Sequence, residues 1–75
     1  MKSKIEMYVV QNVRERRMKK DWSQQYIADC LNISQSFISQ IESPIEDKAY
    51  NIDHLNELAK IFKCSPKDFL PEKPL

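Results

Sequence analysis

The chain has 75 residues, and none of them is glycine. Glycine supplies the positive φ angles of tight β-hairpins and the close backbone approach of phosphate-cradling loops. Its absence disfavours hairpins, barrels and phosphate loops. The charged fraction and the long apolar patterns of helical period favour an all-α bundle. The pattern covers residues 5–70 of a single domain, 1–75, and leaves 71–75 as a short C-terminal tail. This length is near the lower limit for an unaided hydrophobic core.

The segment 24–43, QQYIADCLNISQSFISQIES, is predicted to form two short helices joined by a tight turn. Ser23 is a suitable N-cap for the first of them, which should end near Leu31. Asn32 lies at the turn, because asparagine tolerates the left-handed conformation better than other residues with a side chain. These two helices are predicted to be helices 2 and 3 of the bundle.

The second helix of this pair is predicted over residues 35–42, with Ser34 as its N-cap and Pro44 as its stop. At 100° per residue, Ile38 and Ile41 lie opposite an arc of amides and hydroxyls. That arc carries no charge, whereas a helix made only to be soluble would more often carry Lys and Glu. We therefore interpret it as a reading surface. The arc consists of Gln35, Ser36, Ser39, Gln40 and Ser43.

A first helix is predicted from about Ile5 to Lys20, after a loose start over residues 1–4. Asp21 ends it, in the place where glycine usually sits. Trp22 follows and is expected to fill the core beneath the next two helices.

Two more helices are predicted in the C-terminal third, which gives five in all. Asn51 caps the fourth. Ser65-Pro66-Lys67-Asp68 opens a short fifth helix that ends at Phe69 or Leu70, because it combines a capping residue, proline at the first helical position and an acid. The buried stripe predicted for the fourth helix consists of Ile52, Leu55, Leu58, Ala59 and Phe62.

The net charge of +1 is unevenly placed along the chain. Residues 1–20 hold seven Lys and Arg against two acids, residues 21–50 hold one Lys against five acids, and residues 51–75 are balanced. A basic first helix is compatible with DNA binding, with less electrostatic help than a uniformly basic domain has. The basic last turn, which includes Lys19, is either a solvated helix end or a phosphate contact.

The residue types that support catalysis or metal binding are not grouped in this sequence. Cys30 and Cys64 lack metal-ligand spacing and are interpreted as buried, reduced thiols of a cytoplasmic protein. His54 has no partner at ligand spacing and is expected at the surface or at the core boundary. We therefore predict no enzyme activity, no cofactor and no metal. No signal peptide or membrane span is predicted either.

Short motifs follow one another in register along the chain. They are Arg17, Ser23-Gln24, Ile27-Ala28, Asn32-Ile33-Ser34, Ile38-Ser39-Gln40-Ile41-Glu42, Leu55-x-x-Leu58-Ala59-x-x-Phe62 and Ser65-Pro66-x-x-Phe69. From Val13 to Leu70 this succession resembles the lambda-repressor and Cro type of helix-turn-helix, also called the XRE family. A bare two-helix motif would be weak evidence, whereas the whole set in register is strong evidence.

The resemblance implies a compact five-helix DNA-binding domain that acts as a sequence-specific transcriptional regulator of double-stranded DNA. The expected role is a repressor of a phage-, plasmid- or mobile-element-like operon in a bacterial or phage-like context. Residues 35–42 would be the recognition helix in the major groove. Gln35 opens it, and a glutamine amide can bond bidentately to adenine N6 and N7. Ser36 and Gln40 are the other base-reading candidates, with ordinary surface polarity as the alternative.

The same resemblance implies contacts that position the domain. Gln24 and Ser34 match phosphate clamps at two helix N-termini, where backbone N–H groups also favour a phosphate oxygen. The full set of phosphate-binding candidates is Gln24, Ser34, Ser39, Asn32 and Lys19. Arg17 and Glu42 match a structural ion pair that ties the first helix to the end of the recognition helix.

The loop after the recognition helix departs from the family pattern. Pro44 stands where glycine is usual, and Glu46 and Asp47 stand where basic residues are expected, so only Lys48 is a candidate phosphate contact. Each lost phosphate contact lowers affinity and its salt dependence, which predicts weak binding by a monomer.

Weak monomer binding predicts a homodimer. In the family the two-fold contact involves the fifth helix and the C-terminal tail, and two recognition helices enter grooves about 34 Å apart. The candidate interface residues are Ile61, Phe69, Leu70 and the tail LPEKPL. The acidic loop leaves open a second function for the same fold, a protein-interaction module such as an antitoxin or an adaptor.

Overall fold

Four α-helices and one 3₁₀ helix make up the protein in a computed structural model that describes residues 1–75. The α-helices are α1 (Lys4–Lys19), α2 (Gln24–Leu31), α3 (Gln35–Glu42) and α4 (Ile52–Phe62), and the 3₁₀ helix is Pro66–Phe69. The all-α prediction is confirmed, and the predicted fifth helix is a single 3₁₀ turn. None of these helices has the length and apolarity needed to cross a membrane.

Each helix begins at a side chain that accepts a hydrogen bond from a backbone N–H of its first turn. The predicted caps Ser23, Ser34, Asn51 and Ser65 are all confirmed. A fifth cap, Ser3, was not predicted; it forms a capping box with Glu6.

Three non-glycine residues make the left-handed turns of this glycine-free chain. Asp21 and Asn32 both have φ of 58°, as expected from their positions after α1 and α2. Lys63, with φ of 56°, does the same after α4. Lysine lacks the short polar side chain that stabilises the left-handed conformation, so the sequence did not predict a left-handed residue at this position.

The hydrophobic core lies between α1, α2, α3, α4 and the 3₁₀ helix. It consists of Val9, Val10, Val13, Ile27, Ala28, Ile38, Ile41, Leu55, Leu58, Ala59, Phe62 and Phe69. The placement of Ile52 in the buried stripe is wrong, because this side chain is 78% exposed. The first turn of α4 borders an open apolar groove beside Ile5 and Leu70, and no other element covers it.

Trp22 is half-buried and packs against the core from one side. Its ring centroid lies 4.7 Å from that of Tyr26 in α2 and 5.1 Å from that of Phe62 in α4. The indole therefore fills the space between α2 and α4, whereas the prediction placed it beneath α2 and α3.

The predicted loose start over residues 1–4 is wrong. Lys2 is only 6% exposed, and its Nζ donates to the backbone carbonyls of Ser43 at 2.5 Å and Glu46 at 2.8 Å. The N-terminal amine of Met1 pairs with the Asp47 carboxylate. Ser43 is the C-cap of α3, where the carbonyls have no intrahelical partner and a cation is favoured. The N-terminal segment is fixed for that reason.

His54 occupies the first turn of α4. Its Nδ1 accepts the backbone N–H of Asn51 at 3.1 Å, while the backbone N–H of His54 donates to Asn51 Oδ1 at 2.7 Å. Partial burial lowers the pKa of His54 below its ordinary 6.5, and the Asp53 carboxylate opposes part of that shift. The imidazole is therefore held neutral as a capping acceptor, in agreement with its expected position at the core boundary.

We expect the wild-type protein to lose stability as pH falls from 7 to 5. The folded state resists protonation of His54, so below pH 6.5 the unfolded state binds more protons and the free energy of unfolding falls. The loss begins near the ordinary pKa and is complete below the lowered one. His54→Gln keeps an acceptor for the cap and does not titrate. Urea unfolding at several pH values should therefore give a flatter profile for this variant, and equal slopes would contradict the assignment.

Candidate nucleic-acid interface

The turn between α2 and α3 is three residues long and is held by backbone hydrogen bonds. Asn32 adopts φ 58° and ψ 43°, and the backbone N–H of Ile33 donates to the carbonyl of Ala28 at 3.0 Å. The Ser34 hydroxyl accepts the backbone N–H of Phe37 at 3.1 Å. These bonds satisfy the end of α2 and the start of α3, and so fix the direction in which α3 leaves α2.

The outer face of α3 is polar, uncharged and open to solvent. Ile38 and Ile41 on its inner face are 0% exposed. All the residues of the predicted reading arc that lie within α3 are exposed, which are Gln35, Ser36, Ser39 and Gln40. Ser43 at its end is half-buried, and Phe37 at the edge of the arc is half-buried with its ring 6.4 Å from that of His54.

Four of the five predicted phosphate-binding side chains lie on α2, α3 or the turn between them. Ser34, Asn32 and Ser39 are exposed, and Gln24 at the start of α2 is half-buried. Lys19 is also exposed but lies at the end of α1, away from the other four. It lines a cleft between α1 and α4 with Asn12, Glu15, Arg16, Lys20 and Phe62.

Arg17 and Glu42 form a two-pronged ion pair between α1 and the last residue of α3. Arg17 Nε donates to Glu42 Oε2 at 3.0 Å and its Nη2 to Oε1 at 2.9 Å, while Nη1 donates to the Trp22 carbonyl at 2.8 Å. The two side chains are 13% and 5% exposed. Arg14 also approaches Glu42, at 3.9 Å, but is 43% exposed. Each of the three guanidinium nitrogens of Arg17 donates to an acceptor, which compensates for burial of its charge.

Two glutamines continue this ion pair to the exposed face. Gln24 Nε2 donates to Glu42 Oε1 at 3.0 Å, and Gln35 Nε2 donates to Gln24 Oε1 at 2.7 Å. Gln24 was predicted to bind phosphate and Gln35 to bind a base, and the hydrogen bond between the two side chains was not predicted. Gln24 and Gln35 lie on different helices, and neither helical periodicity nor motif spacing predicts a contact between them.

Two cations from the N-terminal segment contact the acidic loop after α3. Lys2 supplies a buried ammonium group to the carbonyls of Ser43 and Glu46. The N-terminal amine, by hydrogen bonding and by its charge, holds the pKa of Asp47 below its usual range. Lys48 is exposed. The negative potential of the loop is therefore partly neutralised by residues from the other end of the chain, which the sequence reading did not anticipate.

The remaining chemistry-bearing residues are dispersed. No three His, Cys, Asp or Glu side chains are grouped closely enough to hold a metal ion. Cys30 and Cys64 are free thiols, and both are half-buried rather than buried as predicted. Cys64 packs against the hydrophobic core.

Comparison with known proteins identifies the family to which α2, the turn and α3 belong. The model of the helix-turn-helix family matches residues 13–69, which include α2, the turn and α3. No curated protein and no solved structure matches the chain. The match covers most of the chain, and the structure places a short turn and an exposed polar helix where that family has them. The chain therefore belongs to the lambda-repressor and Cro (XRE) type of helix-turn-helix family, whose members are DNA-binding regulators.

Proposed function

We propose that the protein is a sequence-specific repressor that places α3 in the major groove of double-stranded DNA and acts as a homodimer. The observation that carries the proposal is the exposed, uncharged face of α3. A helix fits the major groove, where each base pair presents a distinct order of donors and acceptors. Amides and hydroxyls both donate and accept, so Gln35, Ser36 and Gln40 match that chemistry.

Phosphate contacts would orient the helix. Gln24 and Ser34 stand at the N-termini of α2 and α3, where backbone N–H groups and the helix dipole favour an anion. The Ser34 hydroxyl accepts the backbone N–H of Phe37 and lies 3.3 Å from the Ser36 hydroxyl; with Ser36 as the donor of that contact, the Ser34 proton is available to a phosphate oxygen. Asn32 and Ser39 are exposed beside them and would assist.

A dimer would supply the affinity that the acidic loop removes. The principal extents of the chain, 30 × 28 × 22 Å, are close to one turn of B-DNA, about 34 Å. A dimer that holds its two α3 helices about 34 Å apart would place them in successive major grooves. Leu70 is 40% exposed and Leu75 is 64% exposed, so the C-terminal end offers apolar surface for the contact. Phe69 is 0% exposed and would support this surface from the core.

Selection from random duplexes at low salt tests the proposal directly. The wild-type protein is expected to return a palindromic consensus. Gln35→Ala should weaken binding to that sequence by about 1–3 kcal/mol and relax the preference at one base pair per half-site. Far-UV circular dichroism would show that the variant is folded. A wild-type selection without any consensus would reject the repressor function.

Lys19→Ala provides the contrast to Gln35→Ala. A lysine that contacts phosphate supplies charge without reading a base, so its loss should weaken all sequences alike and reduce the salt slope by about one. If Lys19 is only a solvated helix end, neither the affinity nor the slope will change.

The loop Ser43–Lys48 favours a second function, a protein-interaction module such as an antitoxin or an adaptor. Glu46 and Asp47 are exposed where a DNA-binding loop would be basic, and Ile45 is 80% exposed between them and Pro44. An exposed apolar side chain flanked by acids suits a basic protein surface better than a phosphate backbone. The selection experiment separates the two functions, because an interaction module would return no consensus.

A further inference from the structure

The cleft between α1 and α4 carries three cations without an acidic partner, and the loop after α3 carries an acid without a cationic one. None of the ion pairs of the chain includes Arg16, Lys19, Lys20 or the Glu46 carboxylate. We infer that these two surfaces bind each other between copies of this chain, with the acidic loop of one copy in the basic cleft of the next. This contact is separate from the proposed homodimer and does not require DNA.

The cleft has a volume of about 520 Å³ and a mostly polar lining. Two of its cations are held by aromatic rings, since the Arg16 guanidinium carbon lies 5.3 Å from the ring centroid of Phe69 and Lys20 Nζ lies 5.8 Å from that of Trp22. Small-molecule sites are mostly apolar, so an open cationic cleft suits an acidic protein segment better. Its lining consists of Asn12, Glu15, Arg16, Lys19, Lys20 and Phe62, with a net charge of +2.

The loop after α3 offers the complementary groups. The Glu46 side chain is exposed, while its backbone carbonyl accepts from Lys2 Nζ at 2.8 Å, which fixes the loop and so the position of the carboxylate. Ile45 beside it is 80% exposed. Phe62 is the one apolar side chain that lines the cleft. An acid next to an apolar side chain therefore matches cations next to an aromatic ring.

The two surfaces lie at opposite ends of α1. Lys2, which binds the loop, precedes the first turn of this helix, whereas Arg16 lies in its last turn. At 1.5 Å per residue these two positions are about 20 Å apart. A single copy therefore cannot join its own loop to its own cleft, and the contact has to form between copies.

The two surfaces also lie on different sides of α1. Arg14 and Arg17 approach Glu42 at the end of α3, from which the loop continues. On the side of the cleft, Asn12 Nδ2 donates to the Asp68 carbonyl of the 3₁₀ helix at 3.3 Å. A contact between unlike surfaces is heterologous, and it leaves a free loop at one end of the pair and a free cleft at the other. Further copies can therefore add head to tail.

Small-angle X-ray scattering of the wild-type protein at about 1 mM tests the inference, because a few exposed ion pairs support only weak, roughly millimolar association. Species larger than a dimer should form at low salt. They should dissociate at about 1 M salt, where the Debye length falls to about 3 Å. A homodimer held by the apolar C-terminal surface would persist at that salt concentration.

Charge reversal on each surface identifies the contact. Glu46→Lys gives the loop a cation, and the double variant Lys19→Glu, Lys20→Glu gives the cleft a net charge of −2. Each variant alone should form the larger species about ten- to 30-fold more weakly, because an attraction becomes a repulsion. An equal mixture of the two should regain the wild-type association, since the reversed loop then meets the reversed cleft.

Glu57→Lys is the matched control. It changes the net charge as Glu46→Lys does, at an exposed position of α4 outside both surfaces, and should associate as the wild-type protein does. Recovery in the mixture also shows that both reversed variants are folded. A wild-type protein that forms nothing larger than a dimer at low salt would overturn the inference. So would a mixture that fails to recover, or a Glu57→Lys variant that associates as poorly as Glu46→Lys.

Discussion

Replacement of Glu42 by alanine is expected to lower the free energy of unfolding by about 3–5 kcal/mol, because it leaves a buried arginine charge without its partner. The Arg17 side chain is 13% exposed and directs two of its nitrogens at this carboxylate. A domain of this size is stabilised by roughly 4–11 kcal/mol in total. The variant should therefore unfold at much lower urea concentration, with its midpoint measured by circular dichroism.

Two comparisons identify the cause of that loss. Glu57→Ala removes a carboxylate from an exposed pair with Lys60, and should cost no more than about 0.5 kcal/mol. The double variant Arg17→Met, Glu42→Leu removes both charges of the pair and should recover most of the stability. A Glu42→Ala variant as stable as Glu57→Ala would contradict a buried, energetically coupled ion pair.

The helix boundaries were predictable because their causes are local. Ser34 and Asn51 bond to the first turn of their own helices, and Asn32 makes a left-handed turn by its own side-chain preference. Such signals lie within a few residues of the structure they determine, so the chain alone reveals them. The helix-turn-helix pair and its polar face could be predicted for the same reason.

The contacts that shape the candidate site were not predictable, because they join distant residues. Lys2 reaches a carbonyl 41 positions along the chain, and Gln24 reaches Glu42 across 18 positions. Both bonds depend on how α1, α2 and α3 pack, and packing is absent from any local pattern. For Ile52 the local pattern gave a wrong prediction. Helical periodicity places it on the buried stripe of α4, but no other element covers the groove beside it, and the side chain is exposed.

Phe69→Ala is expected to be as damaging as the loss of Glu42, at about 3–5 kcal/mol of unfolding free energy. Phe69 is 0% exposed, and its ring lies 6.2 Å from that of Phe62 and 5.3 Å from the guanidinium carbon of Arg16. This side chain joins the 3₁₀ helix to α1 and α4, so its truncation would leave a cavity where the three elements meet. Leu70→Ala, one residue later and 40% exposed, should cost about 1 kcal/mol or less at low protein concentration. Urea unfolding of both variants checks the difference, and equal losses would show that the C-terminal segment is not anchored by Phe69.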